Sequence, residues 1–176
     1  LGTQQFNSDF RGFLFFDEAL GARVFGNLDG NRWQWNAGYF RRWDKDTNSG
    51  LNTFDSIGQD VIVANVYRQD VLEMLLPRWA ETTWSRGLTA QLSYHHFSDT
   101  DSVHYDENGF LVRPRAVGVP QPNHRGVDYF GWTMDGHVGR VNVTSALYHA
   151  DGTESLDEIA GRRQDVDAWM AALELS

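Results

Sequence analysis

The chain has 176 residues, a formal net charge of −9 and no cysteine. Its length suits one sizeable domain. The acidic balance argues against nucleic-acid binding, which requires a basic face, and the lack of cysteine excludes disulfides and thiolate metal sites. No segment approaches the roughly 20 apolar residues of a transmembrane helix, but a membrane β-strand needs only about 9–11 residues, half of them apolar.

The first 18 residues carry apolar side chains without a regular period, so we expect an irregular lead-in there, with at most one short strand. From Leu20 to Leu28 the side chains alternate and predict a strand. Asp29-Gly30-Asn31 then predicts a tight hairpin, because Asp-Gly tolerates the positive φ angles of such turns.

The stretch from Arg32 to Trp43 has a marked two-residue period, typical of a strand with two different faces. The mostly aromatic face comprises Trp33, Trp35, Tyr39 and Trp43. The mostly polar face comprises Arg32, Gln34, Asn36 and Arg42. A soluble sheet would bury the aromatic face in a core. A membrane barrel would turn it to lipid and line its lumen with the polar face, together with Arg23 of the preceding strand.

Further strands are predicted at 60–68, 88–97, 127–134 and 140–149, with another starting near Val166. In the 88–97 strand Gln91 belongs to the polar, lumen-lining set and Tyr94 to the lipid-facing set, which Trp132 joins from the next strand. Between strands, the residues from Val71 to Leu76 have helix-forming composition and stop before Pro77, which predicts a short amphipathic helix at an interface.

The connections alternate in length. Long polar loops are predicted near 44–59, 98–126 and 150–163, and the connections at 29–31 and 135–139 are tight. The connection at 70–87 is intermediate and is the one imperfect member of the pattern. Outer-membrane barrels have short turns on one side and long loops on the other, and a soluble meander has no reason to alternate. Seven strands do not complete a bacterial barrel, which has an even number of strands. Either a strand near 10–16 completes eight, or the chain is a section of a larger barrel, which the parity of the connections favours. The first residue, Leu1, and a final segment with strand character also indicate a section of a longer protein.

Four stretches of the chain carry a resemblance to a known group of proteins. They are DVIVANVYRQD at 60–70, SVHYDENGF at 102–110, GHVGRVNV at 136–143 and IAGRR at 159–163 with the strand that follows. They look like segments of large, uncharacterised porin-like outer-membrane proteins of Gram-negative bacteria. The resemblance implies a membrane β-barrel and an outer-membrane location, and it implies no substrate.

Two groups of residues have the composition of a metal site. Asp44, Asp46, Asn48 and Asp55 are spaced as in a calcium loop. However, Ser49 stands where the EF-hand pattern requires glycine, and the twelfth residue is aspartate rather than glutamate, so a solvated polar loop is the favoured interpretation. The second group fits no zinc spacing and comprises His95, His96, Asp99, Asp101, His104 and Asp106. We expect no other cofactor.

No catalytic motif is present: the chain has no nucleophile elbow, no phosphate-binding glycine loop and no His-Glu-x-x-His. Ser93, His95 and Asp99 supply the atoms of a triad, but at a spacing that no known arrangement requires. We therefore expect that the protein is not an enzyme. The competing hypothesis is a barrel hydrolase with its active site around His95.

The sequence predicts an all-β, antiparallel up-and-down outer-membrane β-barrel, in one segment of about seven or eight strands. Its expected partners are the lipid bilayer, a small solute and other chains or the remainder of a larger barrel, with passive or selective solute passage as the function. Two alternatives stay open. One is a soluble β-sandwich or barrel that binds carbohydrate through its aromatic side chains, and the other is a structural outer-membrane subunit of a larger complex.

Overall fold

The chain forms one antiparallel sheet of eight long strands in the computed structural model, which describes residues 1–43, 56–76, 78, 84, 86–100, 104–105, 111–112, 124–156 and 162–176. The strands of this sheet are β1 (Gly2–Asn7), β2 (Phe16–Leu28), β3 (Trp33–Trp43), β4 (Ser56–Arg68), β5 (Leu88–Asp99), β8 (Arg125–Val138), β9 (Val141–Leu156) and β10 (Arg162–Leu175). A small hairpin, β6 (His104–Tyr105) and β7 (Leu111–Val112), and one helix, α1 (Val71–Leu75), complete the described elements.

Each long strand pairs with its sequence neighbour, in the order β1-β2-β3-β4-β5-β8-β9-β10. The predicted all-β up-and-down meander of seven or eight strands is therefore confirmed. The sheet is open in the part of the chain that the structure describes, since β1 and β10 pair there only with β2 and β9, and an open sheet of this kind is consistent with a partial barrel.

The strands extend beyond several predicted boundaries. The expected irregular lead-in, 1–18, contains β1 and the start of β2. Part of two predicted loops is strand. β4 begins at Ser56, within the predicted loop 44–59, and β9 continues to Leu156, within the predicted loop 150–163. The composition of these strand ends is polar and does not alternate, so it does not predict a strand. The ends extend because their backbone pairs with neighbouring strands such as β10.

Two tight turns show how positive φ angles set the hairpins. Asp29, Gly30 and Asn31 have φ of 51°, 59° and 74°, and the Arg32 N–H donates to the Asp29 carbonyl at 3.1 Å, as the Asp-Gly signal predicted. The second turn was predicted at 135–139, but β8 continues to Val138 and the chain turns at Gly139, whose φ is 63°.

The connection between β1 and β2, residues 8–15, packs against one face of the sheet, and we call it the inner segment. That face is the inner face, and the opposite one is the outer face. The registers of the paired strands assign side chains to the two faces, because cross-strand partners point the same way.

A cluster of phenylalanines holds the inner segment and β1 against the sheet. Phe40 is completely buried, its ring stacks on Phe6 at 5.0 Å between centroids, and Phe15 lies 5.3 Å from it. Gly21 and Gly38 make room for Phe40, since a Cβ at either position would come within 2.8 Å of its ring. Burial of one such ring contributes about 1.5–3 kcal/mol, so this cluster is a main source of stability on the inner face.

Helix α1 lies on the outer face at the end of the sheet that carries the tight turns. Val71 packs against Leu88 and Ala90, with Met134 and Val143 at the edge of the cluster. The prediction of a short helix here is confirmed.

Candidate functional site

The inner segment is fixed to the centre of the sheet through its own backbone. The side-chain amides of Asn65, on β4, and Gln91, on β5, both donate to the Ser8 carbonyl, at 2.8 and 2.7 Å. All three residues are buried. Two amide donors that converge on one carbonyl place the segment over the middle of the inner face.

Asp9 organises the turn of the inner segment. Its carboxylate accepts hydrogen bonds from the backbone N–H groups of Phe13 and Leu14, at 3.0 and 3.3 Å, and from the Tyr148 hydroxyl, at 2.5 Å. The side chain is only 4% exposed. A buried carboxylate with three donors is well satisfied, and it joins the turn to β9 across the sheet.

Side chains of the inner segment reach further strands. Phe10 lies edge-on to Tyr67 of β4 and Phe13 edge-on to Tyr148 of β9. Arg11 forms an ion pair with Glu174 of β10, and the hydrogen bond to that carboxylate raises the pKa of the Arg11 guanidinium. One eight-residue segment thus touches strands from β4 to β10, which requires the sheet to curl around it.

Most of the residues predicted to line a lumen lie on the inner face: Arg23, Gln34, Asn36, Arg42 and Gln91. Arg32 lies in the turn before β3, outside the paired register that assigns side chains to a face. Several of these groups are already paired with protein atoms. Gln91 accepts from the Thr133 hydroxyl at 3.1 Å, and Arg42 donates to Asp17 and Gln59 at 2.9 and 2.8 Å.

Arg23 is different, because its partners are rings. Its guanidinium lies 5.0 Å from the Phe6 centroid and 4.9 Å from the Phe25 centroid. It sits in a pocket of about 360 Å³ near the tight-turn end of the inner face. The pocket is lined by Arg23, Phe25, Gly26, Asn27, Asn31, Gln34, Trp35, Asn36 and Tyr67.

The outer face is apolar over most of its area. The residues predicted to face lipid that lie on it are Trp33, Trp35, Tyr39, Tyr94 and Trp132. Trp43 ends β3 beyond an irregularity in the pairing with β4 and is half-buried. Aliphatic side chains fill the positions between the aromatic ones, and Leu92, Leu173 and Val24 are 64%, 68% and 61% exposed.

A row of polar pairs borders the apolar area at the end of the sheet that carries the long connections, and we call it the polar rim. On β4, Asp60 accepts from the Tyr39 hydroxyl at 2.6 Å and from Arg41 at 3.1 Å. On β8, Asp128 accepts from the Tyr94 hydroxyl at 2.7 Å and contacts His96 at 2.8 Å. Further along, His149 contacts Asp167 at 3.0 Å. Tyrosine and histidine therefore mark the boundary between the apolar area and the charges.

The opposite border, at the tight-turn end, carries apolar and amphipathic groups. Arg68 stacks over Trp33 at 5.2 Å from the ring centroid. Trp84 lies against Gly139, where a Cβ would be 2.3 Å from its ring. Leu75 and Leu76, at the end of α1, are exposed. This border resembles the interfacial zones in which aromatic rings and amphipathic segments concentrate.

The candidate metal and catalytic residues are only partly within the described chain. Asp44, Asp46, Asn48 and Asp55 lie outside it, as do Asp101 and Asp106. No group of three or more metal-ligating side chains occurs in the ranges that the structure describes. His95 is buried on the inner face and His96 lies on the outer face, as the alternation predicted. Neither ring nitrogen of His95 has a hydrogen-bond partner among the described residues, so Ser93 and Asp99 do not form a triad with it.

No described helix is long and apolar enough to cross a bilayer. Comparisons with known proteins add no assignment, since no family model, no curated protein and no solved structure matches the chain.

Proposed function

We propose that the chain is a section of a membrane β-barrel, with its outer face against lipid and its inner face along an aqueous passage for small solutes. The observation that supports this most strongly is the apolar outer face, which extends from β2 to β10 and ends at the polar rim. Lipid-facing bands of outer-membrane barrels have this composition and are bordered by aromatic residues.

The size of the exposed apolar surface argues for a membrane. The largest apolar patch on a typical soluble monomer is about 300–600 Å², and larger patches rimmed by polar residues mark protein or membrane interaction surfaces. Here large apolar side chains on seven neighbouring strands are exposed together, among them Leu20, Trp35, Ile62, Leu92, Phe130, Leu147 and Trp169. In water such a face would be open to association, whereas in a bilayer it is the favourable surface.

The inner face suits contact with water and solutes. It carries amides, hydroxyls and arginines, and the inner segment occupies part of it. We assign the selection of solutes to these groups, without a chemical step. The proposed location is the outer membrane of a Gram-negative bacterium, where barrels with unequal turns and loops occur.

The carbohydrate-binding alternative requires aromatic rings in a groove with polar partners. A groove of about 620 Å³ does lie on the outer face among Trp35, Tyr94 and Phe130. Its outer-face walls are otherwise Ala37, Ala64, Val66 and Leu92, so it lacks the hydrogen-bonding groups that fix a sugar. An acyl chain fits this lining better. A structural subunit would present the same two faces and would differ only in passing no solute.

Site-directed spin labelling tests which face meets lipid. The chain has no cysteine, so single cysteines can be introduced and labelled with a nitroxide. Ala64→Cys places the label on the outer face of a central strand, and Gln34→Cys places it on the inner face of the adjacent strand. In phospholipid vesicles we expect the label at position 64 to be accessible to oxygen and the label at position 34 to a water-soluble nickel chelate.

Nickel accessibility at both positions would contradict the proposal, because it would place the outer face in water. If the labels behave as expected, conductance across a planar bilayer separates a passage from a structural role. Conductance changed by glucose or glucuronate supports a passage, and an insulating inserted protein supports a structural subunit.

A further inference from the structure

We propose that the pocket around Arg23 binds the carboxylate of a small hydroxylated acid, such as a sugar acid. The inference rests on the proposed function, because it names the solute class that the inner face would select. It is carried by the geometry of one guanidinium among neutral hydrogen-bonding groups.

The side chain of Arg23 is available to a ligand. Arg42 on the same face is engaged by Asp17 and Gln59, and Arg41 on the outer face by Asp60. Among the described residues, Arg23 forms no ion pair, and none of the nine residues that line its pocket is acidic.

Two aromatic rings contact the exposed side chain of Arg23. The rings of Phe6 and Phe25 lie within cation–π distance of the guanidinium, and no described residue accepts a hydrogen bond from it. A planar guanidinium presents paired donors that match the two oxygens of a carboxylate. The Arg23 guanidinium can therefore form a bidentate interaction with a ligand carboxylate.

The rest of the pocket suits a hydroxylated ligand. Amides from Asn27, Asn31, Gln34 and Asn36 and the hydroxyl of Tyr67 line the same pocket as Arg23. Amides both donate and accept hydrogen bonds, which suits hydroxyl groups. The pocket volume, about 360 Å³, lies within the range of small-molecule sites. One cation among neutral donors and acceptors fits a carboxylate attached to a polyhydroxylated chain or ring.

Isothermal titration calorimetry of the protein in detergent micelles tests the proposal, with glucuronate, glucose and phosphate as probes at constant ionic strength. We expect glucuronate to bind and glucose and phosphate to bind at least tenfold more weakly. Arg23→Gln should weaken glucuronate binding roughly 10- to 100-fold, as expected for the loss of a charge-assisted hydrogen-bond pair. Arg140→Gln, in the β8–β9 turn, removes the same charge outside the pocket and should leave binding unchanged.

A second variant distinguishes the loss of the binding site from misfolding, and circular dichroism checks that both variants fold. Gln34→Glu is nearly isosteric and places a carboxylate in the pocket, so it should also weaken glucuronate binding at least tenfold. Unchanged affinity in Arg23→Gln or Gln34→Glu would overturn the proposal. So would phosphate binding as tight as that of glucuronate, since it would indicate a general anion site, and so would the absence of glucuronate binding to the unmodified protein.

The spin-label result is independent of this titration. Glucuronate binding without insertion into vesicles would retain the site and refute the barrel. Insertion without binding would retain the barrel and refute the site.

Discussion

Replacing a residue in the middle of the outer face with arginine should lower the free energy of unfolding substantially only if that face lies in lipid. Leu92 is 64% exposed and stands between Val66 and Trp132 on neighbouring strands. Ser98 is on the same face of the same strand, beside Asp60 in the polar rim. Replacing each with arginine gives a matched pair that differs in depth.

The expected cost follows from the geometry of β5. Six residues separate the two positions, which is about 20 Å along a strand at roughly 3.4 Å per residue. A strand tilt of about 40° reduces this to about 15 Å of depth, half of a hydrocarbon core about 30 Å thick. With Ser98 at the interface, Leu92 lies near the midplane. Arginine costs about 2–4 kcal/mol there and about 0–1 kcal/mol at the interface.

Urea unfolding from phospholipid vesicles measures both costs. We expect Leu92→Arg to lower the unfolding free energy by about 2–4 kcal/mol and Ser98→Arg by less than about 1 kcal/mol. If the outer face were in water, both substitutions would stay within about 0.5 kcal/mol of the unmodified protein. Equal costs at the two positions would refute the reasoning, whatever their size.

Three further predictions concern the inner face and the tight turns. A double-mutant cycle of Asp9→Asn and Tyr148→Phe should give a coupling energy of about 1–3 kcal/mol by denaturant unfolding, and additive effects would show that their hydrogen bond contributes nothing. Phe40→Ala should cost about 3–5 kcal/mol and make the inner segment sensitive to limited proteolysis; protection equal to that of the unmodified protein would contradict its role. Gly139→Ala should cost about 1–2 kcal/mol, because its φ of 63° disfavours a Cβ, and should shift the fluorescence of Trp84; an unaltered spectrum would remove Trp84 from that turn.

The strands could be predicted because their signal is local. Alternation from Trp33 to Tyr39 assigns both faces of β3 without reference to any other strand, and Asp29-Gly30 specifies its turn. Pairing supplied the rest. The side chains of β1 alternate only weakly between polar and apolar. The pairing of β1 with β2 depends on contacts that cannot be predicted from the sequence of β1 alone.

The inner segment could not be predicted from the sequence, since its contacts are long-range. Asp9 and Tyr148 are 139 residues apart, and Ser8 and Gln91 are 83 residues apart. The local signal was only a group of phenylalanines without a period. Parity reasoning argued against a strand at 10–16. Residues 10–15 belong to the inner segment and Phe16 begins β2, with the additional strand earlier, at Gly2–Asn7. The alternation of connection lengths does not hold throughout, because the connection 69–87 at the tight-turn end is longer than the connection 157–161 at the opposite end.

The arginines show the same limit at the level of single side chains. The sequence grouped Arg23, Arg32 and Arg42 as equivalent lumen charges. Their surroundings differ: Arg42 has a carboxylate partner, Arg32 is in a turn and Arg23 contacts two rings. A two-residue period in the sequence predicts on which face of the sheet a side chain lies. The residues with which that side chain interacts depend on the folded structure.

The open edge of the sheet constrains the proposed membrane role. β10 pairs with β9 along fourteen residues and leaves its other edge without a strand in the described part of the chain. In hydrocarbon each unsatisfied backbone group costs several kcal/mol, so barrels in membranes have no free edges. Trp169 and Leu173 on this strand are 67% and 68% exposed, and they belong to the apolar outer face. A role in the bilayer therefore requires a further strand beside β10. Arg11 and Glu174 join the inner segment to β10 and so fix the curl of the sheet. The further strand would therefore pair with an edge whose position is already fixed.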